Sequence, residues 1–201
     1  TSKMLLAVLI LSGCQAVNTT KGGADGVERQ QYMFALLSTE KTNEMYAKAY
    51  AKKITDAEGK GTLDKTSATA KRVNTIAKKL IEQAPEFRPD AAQWDWEVNL
   101  IESQELNANC GPGGKIIVYT GIIDRLKLTD GELAAVLGHE VAHALREHGR
   151  EGMSETLAVE TAKASAGALL GLSKSTMDMT SSVVNQSMTL PNSRENENEA
   201  D

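Results

Sequence analysis

Three side chains within one pentapeptide, His139, Glu140 and His143, have the types and spacing of a hydrolytic metal site. Residues four apart on a helix share a face, so both imidazoles of H-E-V-A-H can reach one metal ion. Glu140 sits one step round, beside the coordination position left open, where a carboxylate can take a proton from water. Two His four apart also occur on ordinary polar helix faces, so the flanks decide the reading. Thr129-Asp130-Gly131-Glu132 fits a capping box, with Thr129 as N-cap and Glu132 three residues on. Leu133, Val136, Leu137, Val141, Ala144 and Leu145 then recur at helical steps, and Gly149 reads as a C-terminal stop. Two His and a Glu in so apolar a helix need a compensating partner, and one zinc ion supplies it.

A catalytic zinc site takes three protein ligands and keeps one position open. His148 has the right side chain, but it lies five residues beyond His143, off the metal face of a continuous helix. It reads instead as a helix-end residue facing the dipole. The better source is Ser193-Arg194-Glu195-Asn196-Glu197-Asn198-Glu199-Ala200-Asp201. Such a run is ordinarily a solvated acidic stretch. Here Glu197 and Asp201 are four apart: one could ligate the metal and the other accept the remaining N–H of a ligating His.

The elements that must position these groups read as follows. Glu28 to about Lys53 carries a helical apolar stripe, and 56–66 breaks it. A second helix covers roughly Ser67 to Gln83. Trp94 to Ile101 alternates in part, as a half-exposed strand does. Gly111-Pro112-Gly113-Gly114 reads as a tight turn feeding a strand at Lys115 to Thr120, since no GK[ST] follows. A short helix or turn spans Ile122 to Lys127. Glu155 to about Leu172 is a helix dense in small residues, Thr176 to Leu190 is a weaker helix or loop, and Asn192 or Ser193 caps a last helix.

The chain has 201 residues and a net charge of −5. That length supports one domain with a core, and the mildly acidic balance argues against nucleic acid as partner. Lys3, the apolar run Met4 to Leu11 and Ser12-Gly13-Cys14 read as a secretory signal over residues 1–13, too short to span a membrane as a mature helix. Leu11-Ser12-Gly13-Cys14 resembles a bacterial lipobox, which implies cleavage before Cys14 and lipidation of that residue. Residues 14–27 then form the lipidated Cys and a flexible tether, and 28–201 the folded domain. A lipidated Cys14 leaves Cys110 unpaired: it is buried and inert, or pairs outside this chain, or touches the metal.

Asn107-Ala108, Pro112-Gly113-Gly114-Lys115, Tyr119-Thr120-Gly121, H-E-V-A-H-A-L at 139–145 and S-R-x-x-E-x-E-A-D at 193–201 together resemble the zinc metallopeptidases of the HtpX and CAAX-prenyl-protease type. The resemblance covers residues 90–201 well and the N-terminal helices loosely. It implies an α+β fold, a mostly helical zincin of the gluzincin kind, with a small sheet whose edge strand lies beside the H-E-V-A-H helix. It implies Glu197 as third ligand to a single zinc and Asp201 as its supporting residue, with Glu195 and Glu199 outside the ligand positions. Lys115, Ile116, Ile117, Val118 and Tyr119 resemble the edge strand on which such proteases lay an extended substrate. Relatives continue past the position of Asp201 with polar groups for the transition state, so the domain is expected to be C-terminally shorter than the family.

The function expected from these readings is a membrane-anchored zinc metalloendopeptidase, with Glu140 as catalytic base. It would face the periplasm from the bacterial outer membrane and cleave unfolded or misassembled envelope polypeptides, with outer-membrane assembly or protease partners. The alternative is an outer-membrane chaperone or assembly factor holding zinc structurally. A structural site does not need Glu140 and usually closes its fourth position with Cys or His.

Overall fold

The computed structural model describes residues 14–20, 31–34, 37–169 and 193–201. Its frame is a four-stranded sheet in the order β3-β4-β6-β5, built from β3 (Leu63–Asp64), β4 (Glu97–Ile101), β5 (Ala108–Gly111) and β6 (Lys115–Tyr119). Strands β4 and β6 run parallel, with Val98 opposite Ile116 and Leu100 opposite Val118. β5 returns antiparallel along the other side of β6, pairing Cys110 with Ile116. The turn between them needs its glycines. Gly113 and Gly114 have φ of 74° and 83°, and a Cβ on Gly114 would lie 2.6 Å from the Trp96 ring.

Alternation along β6 divides the interior in two. Ile116 and Val118 join Leu100, Val73, Ala77, Leu133, Leu137 and Val141 in the larger core. Ile117 and Tyr119 join Tyr50, Ala57 and Ile101 in the second. The sheet is thus covered on one face by α1 (Thr39–Gly59) and on the other by α2 (Ala68–Ile81) and α5 (Asp130–Leu145). Between these lie α3 (Ala84–Phe87), a 3-10 turn at Pro89–Gln93 and α4 (Thr120–Leu126). Ser38, Ser67 and Thr129 cap α1, α2 and α5 through their side chains, and Glu132 completes the capping box on Thr129.

Helix α5 stops at Leu145, because Glu147 takes a left-handed conformation with φ of 56°. A new helix, α6 (His148–Leu169), starts at once. The break is clamped by charge. The buried Glu147 carboxylate lies 2.8 Å from Arg88 and 2.6 Å from Arg150. Onto α6 packs a hairpin of β1 (Cys14–Val17) and β2 (Gln31–Phe34). The last element, α7 (Arg194–Ala200), packs on α5. No helix among the described residues is long and apolar enough to cross a membrane.

The α+β fold expected from the motifs is the fold found, and several local expectations change. The first long helix begins at Thr39, not Glu28, and runs through 56–59. Residues 31–34 form a strand instead, with Gln31 and Met33 buried on either side of exposed Tyr32, a two-residue period. Cys14–Val17, expected within a tether, is the other strand of that hairpin. Gly149 is inside α6 and stops nothing. Lys115, Ile116, Ile117, Val118 and Tyr119 are not an edge: β6 is hydrogen-bonded to β4 and β5 on its two sides, so its main chain has no pairing left to offer. The sheet end that packs against the H-E-V-A-H helix is β5. The signal peptide expected at 1–13 and the segment Thr176 to Leu190 lie outside the described residues.

Candidate metal centre

Helix α5 presents His139 and His143 on one face, one turn apart, and α7 brings Glu197 against them. His139 Nε2 and His143 Nε2 are 3.0 Å apart. Glu197 places Oε2 3.2 Å from the first and Oε1 3.5 Å from the second. Zinc bonds of about 2.0–2.1 Å in a tetrahedron put ligand atoms roughly 3.3 Å from one another. The three donors therefore already have the spacing of three tetrahedral corners, and His139, His143 and Glu197 form a group able to hold a metal ion.

The far nitrogens are engaged too. His139 Nδ1 lies 2.8 Å from Asp201 Oδ1. An ionised carboxylate only accepts, so Nδ1 carries the proton and Nε2 keeps its lone pair for the metal. His143 Nδ1 lies 2.8 Å from His148 Nδ1, and His148 Nε2 lies 2.9 Å from Glu199 Oε2. Burial, with the neighbouring His148 and His139, pushes the His143 imidazole down to about 4. It is neutral near pH 7, as a ligand must be.

Glu140 is pushed up to about 7, first by burial, then by Glu197; His139 and the Cys110 main-chain N–H act the other way. A carboxyl poised near neutrality suits a group that takes and returns a proton. Its contact with Cys110 places it against β5. The Cys110 thiol is itself buried and pushed up by that burial, so of its three readings the inert buried thiol fits. On the other face of β5 the Tyr46 ring fills the space above Gly111, where a Cβ would come within 1.9 Å of it. Burial raises the Tyr46 phenol.

Residues 67–201 match the family described as Peptidase family M48. The chain belongs to this family. It is 45% identical over 62 residues to the mitochondrial metalloendopeptidase OMA1 of Arabidopsis thaliana, covering 31% of this chain and 13% of that one. It is 41% identical over 106 residues to OMA1 of Schizosaccharomyces pombe, covering 53% and 30%. It is 30% identical over 166 residues to the metalloprotease LoiP of Escherichia coli, covering 81% and 60%. The chain thus spans less than a third of the mitochondrial relatives.

Family membership agrees with the donor set, two His and a Glu, and with the Glu140 carboxyl close to it. The structure brings together every residue the motif singled out, His139, Glu140, His143, Glu197 and Asp201, and leaves Lys115 to Tyr119 inside the sheet. It adds His148, Glu199 and Arg146, which helical spacing and the family motif leave outside the ligand positions. His148 is not at a helix C-terminus facing the dipole. It opens α6 and is fully buried against His143. Arg146 Nε donates to Glu199 Oε2 at 2.8 Å.

Proposed function

We propose that this chain hydrolyses peptide bonds as a zinc-dependent metalloendopeptidase, with His139, His143 and Glu197 holding the ion and Glu140 as the catalytic residue. The observation that carries this reading is the convergence of three donors at tetrahedral spacing beside a carboxyl of raised pKa. The chemistry zinc supplies when bound is Lewis acidity, which polarises a carbonyl and acidifies water. Glu140 takes the proton of the attacking water and delivers it to the leaving amine nitrogen. Asp201 holds the His139 ring in place through Nδ1.

Strand β5, the sheet end beside Glu140, is the surface we assign to substrate. An extended peptide pairing with a strand is held by main-chain hydrogen bonds, which read shape rather than sequence. Only unfolded or misassembled polypeptides expose such segments, so these are the substrates. The lipobox-like Leu11-Ser12-Gly13-Cys14 supports an anchor at Cys14, and with it a place on the periplasmic face of the outer membrane. Similarity to a bacterial metalloprotease over most of this chain supports the proteolytic part of the reading.

Glu140→Gln tests the mechanism on unfolded casein. The variant is expected to keep the zinc content of the wild type and to lose at least about 100-fold in cleavage rate. Equal cleavage by both proteins would sink the role of Glu140. Equal zinc with cleavage by neither would favour the chaperone alternative.

A further inference from the structure

We propose that His148 and Glu199 are positioning residues for the ligand His143: a two-link relay fixes which of its ring nitrogens is free. The inference rests on reading the centre as a zinc site. It starts from an asymmetry. His139 hands its outer N–H straight to a carboxylate, Asp201. His143 has a second imidazole in that place. Two imidazoles meeting through Nδ1 at 2.8 Å share one proton, and the geometry alone does not say whose.

Glu199 decides it. Its Oε2 lies 2.9 Å from His148 Nε2 and also accepts from Arg146 Nε. An Arg-bound carboxylate is ionised and can only accept, so His148 Nε2 donates. With its one proton on Nε2, His148 has a bare Nδ1, and that atom meets His143 Nδ1 at 2.8 Å. His143 must donate from its own Nδ1, which leaves Nε2 bare and aimed at Glu197 and His139. Both links are enclosed: the His148 and Glu199 side chains are 0% and 2% exposed, so water does not compete for either bond. A wrong tautomer of His143 would place a proton where the metal belongs.

The backbone supplies the means. On an unbroken helix His148 would point away from His143. The left-handed Glu147 ends α5 and starts α6 so that the His148 ring comes back to 4.9 Å from that of His143, edge to face. Glu199 arrives on the same turn as Glu197 and Asp201. One short helix therefore sets the tautomer of both ligating histidines, one directly and one through His148.

The test uses the full chain, zinc-loaded and stripped by chelation. In stripped wild type, ring ¹⁵N chemical shifts are expected to show His143 protonated at Nδ1 and bare at Nε2; the reverse assignment overturns the relay without any variant. His148→Leu, of similar bulk but unable to accept, is expected to admit the Nε2-protonated form. It should also weaken zinc binding by about 10- to 100-fold in competition with a chromophoric chelator. His148→Gln, whose amide both accepts and donates, is expected to recover part of that affinity. Equal affinity for Leu and Gln variants would make His148 a packing residue and overturn the proposal. Failure of wild type itself to bind zinc would instead strike the metalloprotease reading, while the ¹⁵N assignment would still stand or fall separately.

Discussion

At Gly111 the absence of a side chain is a requirement of its neighbour. The Tyr46 ring occupies the place of a Cβ, at 1.9 Å, and the ring is wedged between α1 and the strand that borders Glu140. Gly111→Ala is expected to destabilise the fold by about 1–3 kcal/mol, the range for overpacking a filled site. Adding Tyr46→Ala should recover part of that loss, since the two changes share one space. Thermal unfolding of the two single variants and the double shows it; strictly additive losses would mean the ring simply swings clear. At this scale the sequence was most legible where chemistry and helical spacing coincide. His139, Glu140 and His143 sit four and one apart on a helix that announces its own start at Thr129, and Glu197 and Asp201 repeat the same spacing. A continuous helix would carry His148 off the metal face, and nothing in the residue type of Glu147 announces the left-handed backbone that brings it back. The Glu147 carboxylate is gripped by Arg150, three residues on, and by Arg88, a contact between positions far apart in the chain.

Helix α7 has seven residues, too few to hold its shape alone in water, yet two of its carboxylates, Glu197 and Glu199, and that of its C-cap Asp201 bond to the histidines of the centre. Its start depends on Ser193, whose hydroxyl accepts from the Asn196 N–H at 3.1 Å. Ser193→Ala removes that cap at a cost of about 1 kcal/mol. The loss should fall on metal binding, because the turn that frays is the one carrying Glu197. The expected outcome is a several-fold weaker zinc affinity with the melting temperature of the zinc-free chain little changed. A matching drop in zinc-free stability, with affinity intact, would show that α7 serves the fold more than the centre. Caps and turns of this kind were readable: Ser193, the Thr129–Glu132 box and the Gly113-Gly114 turn all stand where residue chemistry put them. Strand neighbours were less so. K-I-I-V-Y has no polar residue after Lys115, the pattern of a strand covered on both faces, and that signal argues for a central place. The resemblance to a substrate edge obscured it, while β5, with its Asn, Cys and Gly, hardly looks like a strand at all.

Across the whole molecule, segments from both ends of the chain meet behind the centre. The break after α5 frees the Arg146 carbonyl, and the N-terminal segment takes it up: Thr19 Oγ1 and Gln31 Nε2 donate to it at 3.0 and 2.8 Å. Arg146 itself reaches Thr20 at 3.0 Å and Glu199 at 2.8 Å. The centre joins distant parts of the chain too, since His139 and Glu197 stand 58 positions apart. An ion gripping both turns the intervening chain into a closed ring, as a cross-link would. An ion that binds the folded chain and not the disordered one favours the folded form by about 4 kcal/mol when free zinc is about 1,000 times its dissociation constant. Stripping the ion should therefore open the ring and lower the melting temperature by roughly 10 °C, and replenishing it should restore the loss. An unchanged melting temperature would mean that the unfolded chain keeps its grip. If the ring holds, the same ion that runs the reaction is also the clasp of the fold, and scarcity of zinc would cost such a cell the protein as well as its activity.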